Sequence, residues 1–363
     1  MYQHRRDCMV IVHIANIDTS VVGGVRFAVP QMIAAQAQYA DVCLLNTHGE
    51  LIDGIPTIPY DGNFDLDKFP APYRRPDIVV FHEIYRFEYI SIYPKLIQYR
   101  IPYVIIPHGC LSRKAQEKKR IKKLAANIIF FNRFIKNARL IQYLSANEQS
   151  MSAFPRYPSS VVGNGVPIPN EKKTSFSDSA VNFVYIGRLE MHIKGLDLLL
   201  AAIKKSETPL RQCGAAFEIY GPDHNGSHEF LAKAIDKLNI GDLVQLGKEK
   251  LGIEKQEILL SATCFIQTSR TEGLPLGPLE ALSYGLPCIV TRGVGLGQII
   301  EAYGAGHQCE TSVEGISAAI ERFIRNTDQL ELMSQSAIRL IAENFNVDSI
   351  AKETVDRYRN ILN

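Results

Sequence analysis

Short apolar runs that alternate with helical patterns constrain this chain more than any other feature. In the first half the runs are MVIVHIA (9–15), DVCLLNT (41–47), DIVVFH (77–82), YVIIPH (103–108), RLIQYLS (139–145) and SSVVGNG (159–165). In the second half they are VNFVYIG (181–187), AFEIYG (216–221), VQLGK (244–248), ATCFIQT (262–268) and PCIVT (287–291). A strand that is apolar at nearly every position is buried on both faces, and helical crossovers supply the cover, so the pattern predicts parallel sheets. Helices are expected over 25–39 and 114–136 in the first half. In the second they are expected over 194–205, 228–239, 254–261, 278–284 and 313–326, with helical periodicity from about Leu330 to the end.

A chain of 363 residues exceeds what one compact domain usually holds. The stretch PIPNEKKTSFSDSA (167–180) is polar and turn-rich, and it reads as the join between two halves. The expected domains are therefore 1–168, a linker 169–180 and 181–345, with a terminal helix 346–363 free to cross back to the first. Each half is an α/β, Rossmann-like unit, and ligands would bind beyond the carboxyl ends of the strands, facing one central cleft. A net charge of +2 gives no global reason to expect nucleic acid. Seven dispersed cysteines without a C-x-x-C pair indicate free thiols in a reducing, cytoplasmic setting. His13, Asn16 and Asp18 interrupt the first apolar run, which reads as a buried strand rather than a signal peptide. No run reaches the roughly 18 apolar residues a membrane span needs.

The stretch RTEGLPLGPLEALSYG (270–285) carries the most chemistry. It follows a strand, so Thr268–Gly277 is expected as a loop at that strand's carboxyl end. Pro278 is expected to open a short helix that Gly285 closes. This puts Glu272 in the loop and Glu280 in the first helical turn. Backbone N–H groups at a loop and helix start suit an anion, and Glu280 could accept from the vicinal hydroxyls of a ribose. The glycines would let the backbone approach a ligand. Earlier, VNFVYIG runs into GRLEMHIKGLDLLLAAI, where Arg188 follows the strand and Lys194 precedes a helix. A planar fork and a flexible point charge beside a helix start suit a diphosphate, each charge-assisted contact being worth roughly 1.5–3 kcal/mol.

These segments resemble glycosyltransferase family 4, retaining enzymes of the GT-B fold that build bacterial surface polysaccharides. The likeness rests on GRLEMHIKGLDLLLAA, on EGLPLGPLE with its E-x7-E spacing, and on GGVRFAVPQM, PHGCLS, YLSANEQ and GNGVPIP in the first half. It implies a hexosyltransferase that moves a sugar from a nucleotide-diphosphate sugar to a hydroxyl of a saccharide or lipid-linked acceptor. It further implies retention of configuration, no required cofactor and no metal. The donor would be a UDP- or GDP-sugar, with adenine also open. Carried over by position, Arg188 and Lys194 would bind the diphosphate, Glu280 the ribose and Glu272 the transferred sugar. Gly273, Leu274, Pro275 and Leu276 would offer backbone amides. Gly23 and Gly24 would open the first helix against the diphosphate, and His108 would line the boundary between donor and acceptor. The position where the family often has an acid is Asn147 here, with Glu148 next to it. Charge on the leaving diphosphate would be met by Arg188, Lys194 and helix N-termini.

The run RKAQEKKRIKK (113–123) is strongly basic. On a helix Lys114, Lys118 and Lys122 share one face, while Ile121, Leu124, Ala125 and Ile128 share another. It reads as a solvated face or, with Arg113 and Lys119, as a contact for anionic headgroups or a lipid-diphosphate acceptor, which would make the protein peripheral on the inner membrane face. His224 and His228 lack a third ligand at metal spacing. Competing readings are an epimerase or phosphorylase of the same fold, a non-catalytic sugar-nucleotide binding protein, and a dehydrogenase. The last is disfavoured because SVVGGVRF lacks G-x-G-x-x-G.

Overall fold

The computed structural model describes residues 8–20, 23–117, 120–173, 175–176 and 180–362. Lys118 and Lys119 of the basic run lie outside the described residues. The chain divides into two units, Met1–Gly165 with Val347–Asn363, and Val166–Asn346.

The first unit is built on β1 (Val10–Ala15), β2 (Asp41–Asn46), β3 (Thr57–Pro59), β4 (Ile78–His82), β5 (Tyr103–Ile106), β6 (Leu140–Tyr143) and β7 (Ser159–Val161). They form one sheet in the order β3-β2-β1-β4-β5-β6-β7, and each neighbouring pair is parallel. Central strands such as β1 and β4 are buried at every position, as continuous apolar runs require. Phe81, Tyr89, Tyr103 and Phe134 interlock beneath the sheet, Phe81 meeting the other three edge-on. The last helix, Val347–Leu362, completes this unit. Tyr358 donates from its hydroxyl to Gln142 Oε1 at 3.0 Å, and Arg359 donates to Tyr39 O at 2.8 Å. A Cβ on Gly165 would lie 2.3 Å from Val347 Cα, so only glycine lets the returning chain pass there.

The second unit holds β8 (Asn182–Ile186), β9 (Ala216–Tyr220), β10 (Val244–Gly247), β11 (Cys264–Gln267), β12 (Cys288–Thr291) and β13 (Gly306–Cys309). Their order is β10-β9-β8-β11-β12-β13, again all parallel. Phe183 and Phe217 stack at 4.6 Å in its core. The segment expected as a linker is anchored here through Lys173, which donates from Nζ to Leu260, Ser261 and Ala262 carbonyls at 2.6–3.1 Å and so caps the helix Gly252–Ser261.

In both sheets the strand order reverses beside the first strand, between β1 and β4 and between β8 and β11. At such a point neighbouring crossovers leave in opposite directions and open a crevice at the carboxyl ends.

One local expectation is corrected. The helix after β11 spans Leu276–Ser283, starting two residues before Pro278. First-turn N–H groups have no intrahelical partner, so Gly277 and Pro278 fit inside that turn without cost, and Glu280 falls in the second turn. Over the expected helix 114–136 every described residue is helical. The segment runs as helices Arg113–Glu117 and Arg120–Ala126, a π-helical turn Asn127–Phe131 and a helix Asn132–Asn137. The short, largely polar strands β3 and β13 were not expected, nor was the Pro94-containing helix Glu88–Gln98, although Tyr89, Ile92, Tyr93 and Leu96 give it a buried face at helical spacing.

Where β8 and β9 end, a Cβ on Gly221 would sit 1.8 Å from Gly187 O, whereas one on Gly24 would meet nothing within 4 Å. Gly221→Ala is expected to lower stability by about 1–3 kcal/mol through overpacking, while Gly24→Ala stays within about 0.5 kcal/mol. The chain has no tryptophan, so urea unfolding followed by circular dichroism is the measurement. Equal midpoints for the two variants would contradict this packing.

Candidate functional site

In the second unit the loops after β8 and β11 are laced together. Gly195 takes φ +65°, and a Cβ there would lie 2.0 Å from Thr268 O. Thr268 donates from Oγ1 to the carbonyls of Lys194 (3.2 Å) and Gly195 (2.9 Å). Arg270 donates to His192 O at 2.6 Å and bidentately to Asp197 at 2.7 Å, tying its loop to the first turn of the helix Leu196–Lys205. Thr291 donates to Ser269 O at 2.6 Å from β12. These bonds fix the backbone from which Lys194 and Glu272 project.

Lys194 Nζ donates to Glu272 Oε1, with only 17% of each side chain exposed. The same carboxylate oxygen accepts from Ser269 Oγ at 3.2 Å and lies 3.5 Å from Gln267 Nε2. Arg188 pairs with Glu190 at 2.7 Å on the neighbouring loop. On the helix after β11, Glu280 accepts from Lys255 Nζ, a residue of the helix Gly252–Ser261. In the second unit Lys194 and Glu272 meet directly, while Arg188 pairs with Glu190 and Glu280 with Lys255. No side chain caps the N-terminus at Pro275, and Leu274 is buried. Gly277 and Gly221 prove to be packing glycines: a Cβ on Gly277 would lie 3.0 Å from the Phe265 ring and 3.3 Å from Ile186 O.

In the first unit His108 and Gly109 follow β5 with φ +47° and +82°, a left-handed turn that costs a non-glycine residue energy and persists only where the surroundings hold it. Glu148 holds it: its buried carboxylate accepts from Gly109 N at 2.5 Å and Leu144 N at 2.8 Å. Burial raises the Glu148 pKa while these two donors oppose the shift. Behind the turn His108 Nε2 lies 2.9 Å from His82 Nδ1, His82 Nε2 lies 2.9 Å from His13 Nδ1, and His13 Nε2 lies 2.8 Å from Gln36 Oε1. Burial lowers the His13 and His108 pKa values to about 4 and carries His82 well below its ordinary value. Gly23 sits extended before the helix Gly24–Gln36, and space beside both glycines is open.

Arg113, Lys114 and Lys122 lie on the segmented basic helix. Four of its apolar residues, Ile121, Leu124, Ile128 and Ile129, are exposed. Lys123 turns in, donating to Ala115 O and lying 4.8 Å above the Tyr85 ring.

The sequence reading missed Lys255, Arg270, Asp197, Gln36 and His82. HEI and PHG both end strands in histidine, a signal for His82, but a single chain does not state which strands are neighbours.

The second unit is similar to a glycosyltransferase domain. The family described as Glycosyl transferases group 1 matches residues 167–340. The chain is 25% identical over 168 residues to the putative colanic acid biosynthesis glycosyltransferase WcaL of Salmonella typhimurium, covering 44% of this chain and 40% of that protein. It is 33% identical over 103 residues to the UDP-Gal:alpha-D-GlcNAc-diphosphoundecaprenol alpha-1,3-galactosyltransferase of Escherichia coli, covering 28% and 26%. The matches thus span about a quarter to two fifths of these relatives' length. Among solved structures, HepE from Anabaena in complex with UDP and glucose superposes with TM-score 0.75 at 17% identity, covering 97% of this chain and 100% of that one. The two parallel Rossmann-like sheets are those of the GT-B fold.

The buried histidines set a pH dependence. Below the ordinary histidine value of 6.5 the unfolded chain binds protons that folded His13 and His108 refuse until about 4, so stability is lost as pH falls through that window. The urea midpoint of the first unit is expected to fall steadily across it; a flat midpoint would show the imidazoles to be freely protonated.

Proposed function

We propose that the protein is a retaining, metal-independent glycosyltransferase that transfers a hexose from a nucleotide-diphosphate sugar to a saccharide or lipid-linked saccharide. The observation that carries this reading is the held Lys194–Glu272 pair beside Arg188, at the point where the second sheet reverses. In this reading the diphosphate gives Lys194 and Arg188 a second anionic partner, and Glu272, already held by Ser269, receives hydroxyls of the transferred sugar. In the first unit Gly23 and Gly24 leave the start of a helix bare, which suits an anion. Cations and backbone donors stabilise the leaving charge in place of a metal. Glu280, with Lys255 screening its charge, takes the ribose, and backbone of Gly273–Leu276 lines the sugar. In the first unit His108 is the residue assigned to a saccharide. UDP is the leading nucleotide because HepE was solved with it, and a lipid-diphosphate acceptor follows the name of the Escherichia coli relative.

The exposed stripe Ile121, Leu124, Ile128 and Ile129, flanked by Arg113, Lys114, Arg120 and Lys122, supports a peripheral seat on an anionic membrane surface. Lys118 and Lys119 belong to the same basic run. Among the described residues no helix is long and apolar enough to cross a membrane.

Saturating UDP or UDP-sugar is expected to raise the melting temperature by roughly 5–10 °C, with or without EDTA, and to lose that effect in Glu280→Ala. No shift with UDP, GDP or ADP would remove the reading. Ile121→Asp with Ile128→Asp is expected to abolish co-sedimentation with anionic vesicles, and Lys114→Glu with Lys122→Glu to weaken it. Unchanged sedimentation would dismiss the membrane seat.

A further inference from the structure

The chain of hydrogen bonds behind His108 goes beyond holding a side chain in place. A neutral imidazole donates from one nitrogen and accepts at the other. Three neutral rings in series must therefore all point the same way, because each link needs one donor and one acceptor. The terminal group decides the direction. Gln36 presents its amide oxygen to His13 Nε2 at 2.8 Å, and an oxygen can only accept. His13 must then carry its proton on Nε2, leaving Nδ1 bare to accept from His82 Nε2 at 2.9 Å. His82 Nδ1 is bare in turn and accepts from His108 Nε2 at 2.9 Å.

We propose that Gln36, His13 and His82 are positioning residues that fix His108 as the Nε2–H tautomer and so make its Nδ1 a hydrogen-bond acceptor. Such a nitrogen takes a hydroxyl as its ligand and has nothing to give a phosphate oxygen. On the glycosyltransferase reading, on which only the identity of the ligand rests, His108 recognises a sugar hydroxyl of donor or acceptor and leaves the diphosphate to Arg188 and Lys194.

One feature fits this assignment and one weighs against it. His13, His82 and Gln36 are fully buried, so water does not compete for the links and the low dielectric strengthens each. Gln36 Nε2 is buried without a partner, a cost the fold bears while the amide oxygen faces His13. Protonation of His13 or His82 would place two donors against each other at a link, which burial already disfavours.

The test is a long-range 1H–15N NMR spectrum of the histidine side chains in the full chain labelled with 15N-histidine. His108 is assigned by its loss in His108→Asn. In the wild type, without ligand, His108 is expected to show a protonated Nε2 and a bare Nδ1. In Gln36→Met, and in His82→Phe if it folds by circular dichroism, that pattern is expected to give way to averaging between tautomers. Sugar transfer in Gln36→Met is expected to lose roughly tenfold in kcat, with the UDP-induced melting shift intact. A wild-type His108 protonated on Nδ1, or a tautomer indifferent to Gln36→Met, overturns the proposal. Because the spectrum needs no substrate, the expected tautomer in a protein that no sugar nucleotide stabilises would sustain the positioning role and dismiss the enzyme reading instead.

Discussion

At Gly195 the backbone turns so close to Thr268 that a methyl group would sit 2.0 Å from its carbonyl oxygen. The candidate site of the second unit depends on that approach. Thr268 can bond two successive carbonyls only because Gly195 lies against it, and those bonds bring Lys194 within reach of Glu272. Arg270 then repeats the link from the side, joining His192 and Asp197. An ion pair on flexible stems would contribute little at a surface. Here the two backbones are held by other bonds, so less side-chain freedom is lost in forming it, and the charges stay poised at one spot.

The pairing also explains how a site of high charge density remains stable without a ligand. Arg188, Lys194 and Lys255 each face a carboxylate, so none of these three cations stands unpaired in the ligand-free protein. An incoming diphosphate would share these cations rather than strip them.

Much of this was legible in the sequence where one physical rule governs. Apolar runs located most strands, because a strand covered on both faces must be apolar throughout. The Glu272 loop was visible because glycine and proline follow a strand. The helix start was misplaced because proline also fits further inside a first turn, so Pro278 does not mark its beginning. Residues that act through space were out of reach: Lys255 meets Glu280 from a different crossover, and Gln36 reaches His13 from the far end of a helix. His13 looked like an interruption of an apolar run. It is a buried polar residue with partners on both sides, which the run itself could not display. Glu148, noted only as the acid beside Asn147, proves to hold the turn at Gly109.

The π-helical turn at Asn127–Phe131 has a geometric consequence for the basic segment. A wider turn takes one residue more than a regular one, so the helix beyond it is rotated by about 100°. Downstream, that rotation sends Phe134 and Ile135 into the core. Upstream, it leaves Ile121 and Leu124 facing out. Deleting a single residue from the turn would restore regular winding and force the two halves onto one face, so that either the aromatic core or the outer stripe would have to be surrendered. One surplus residue is what lets a single stretch of chain serve an interior and an exterior at once.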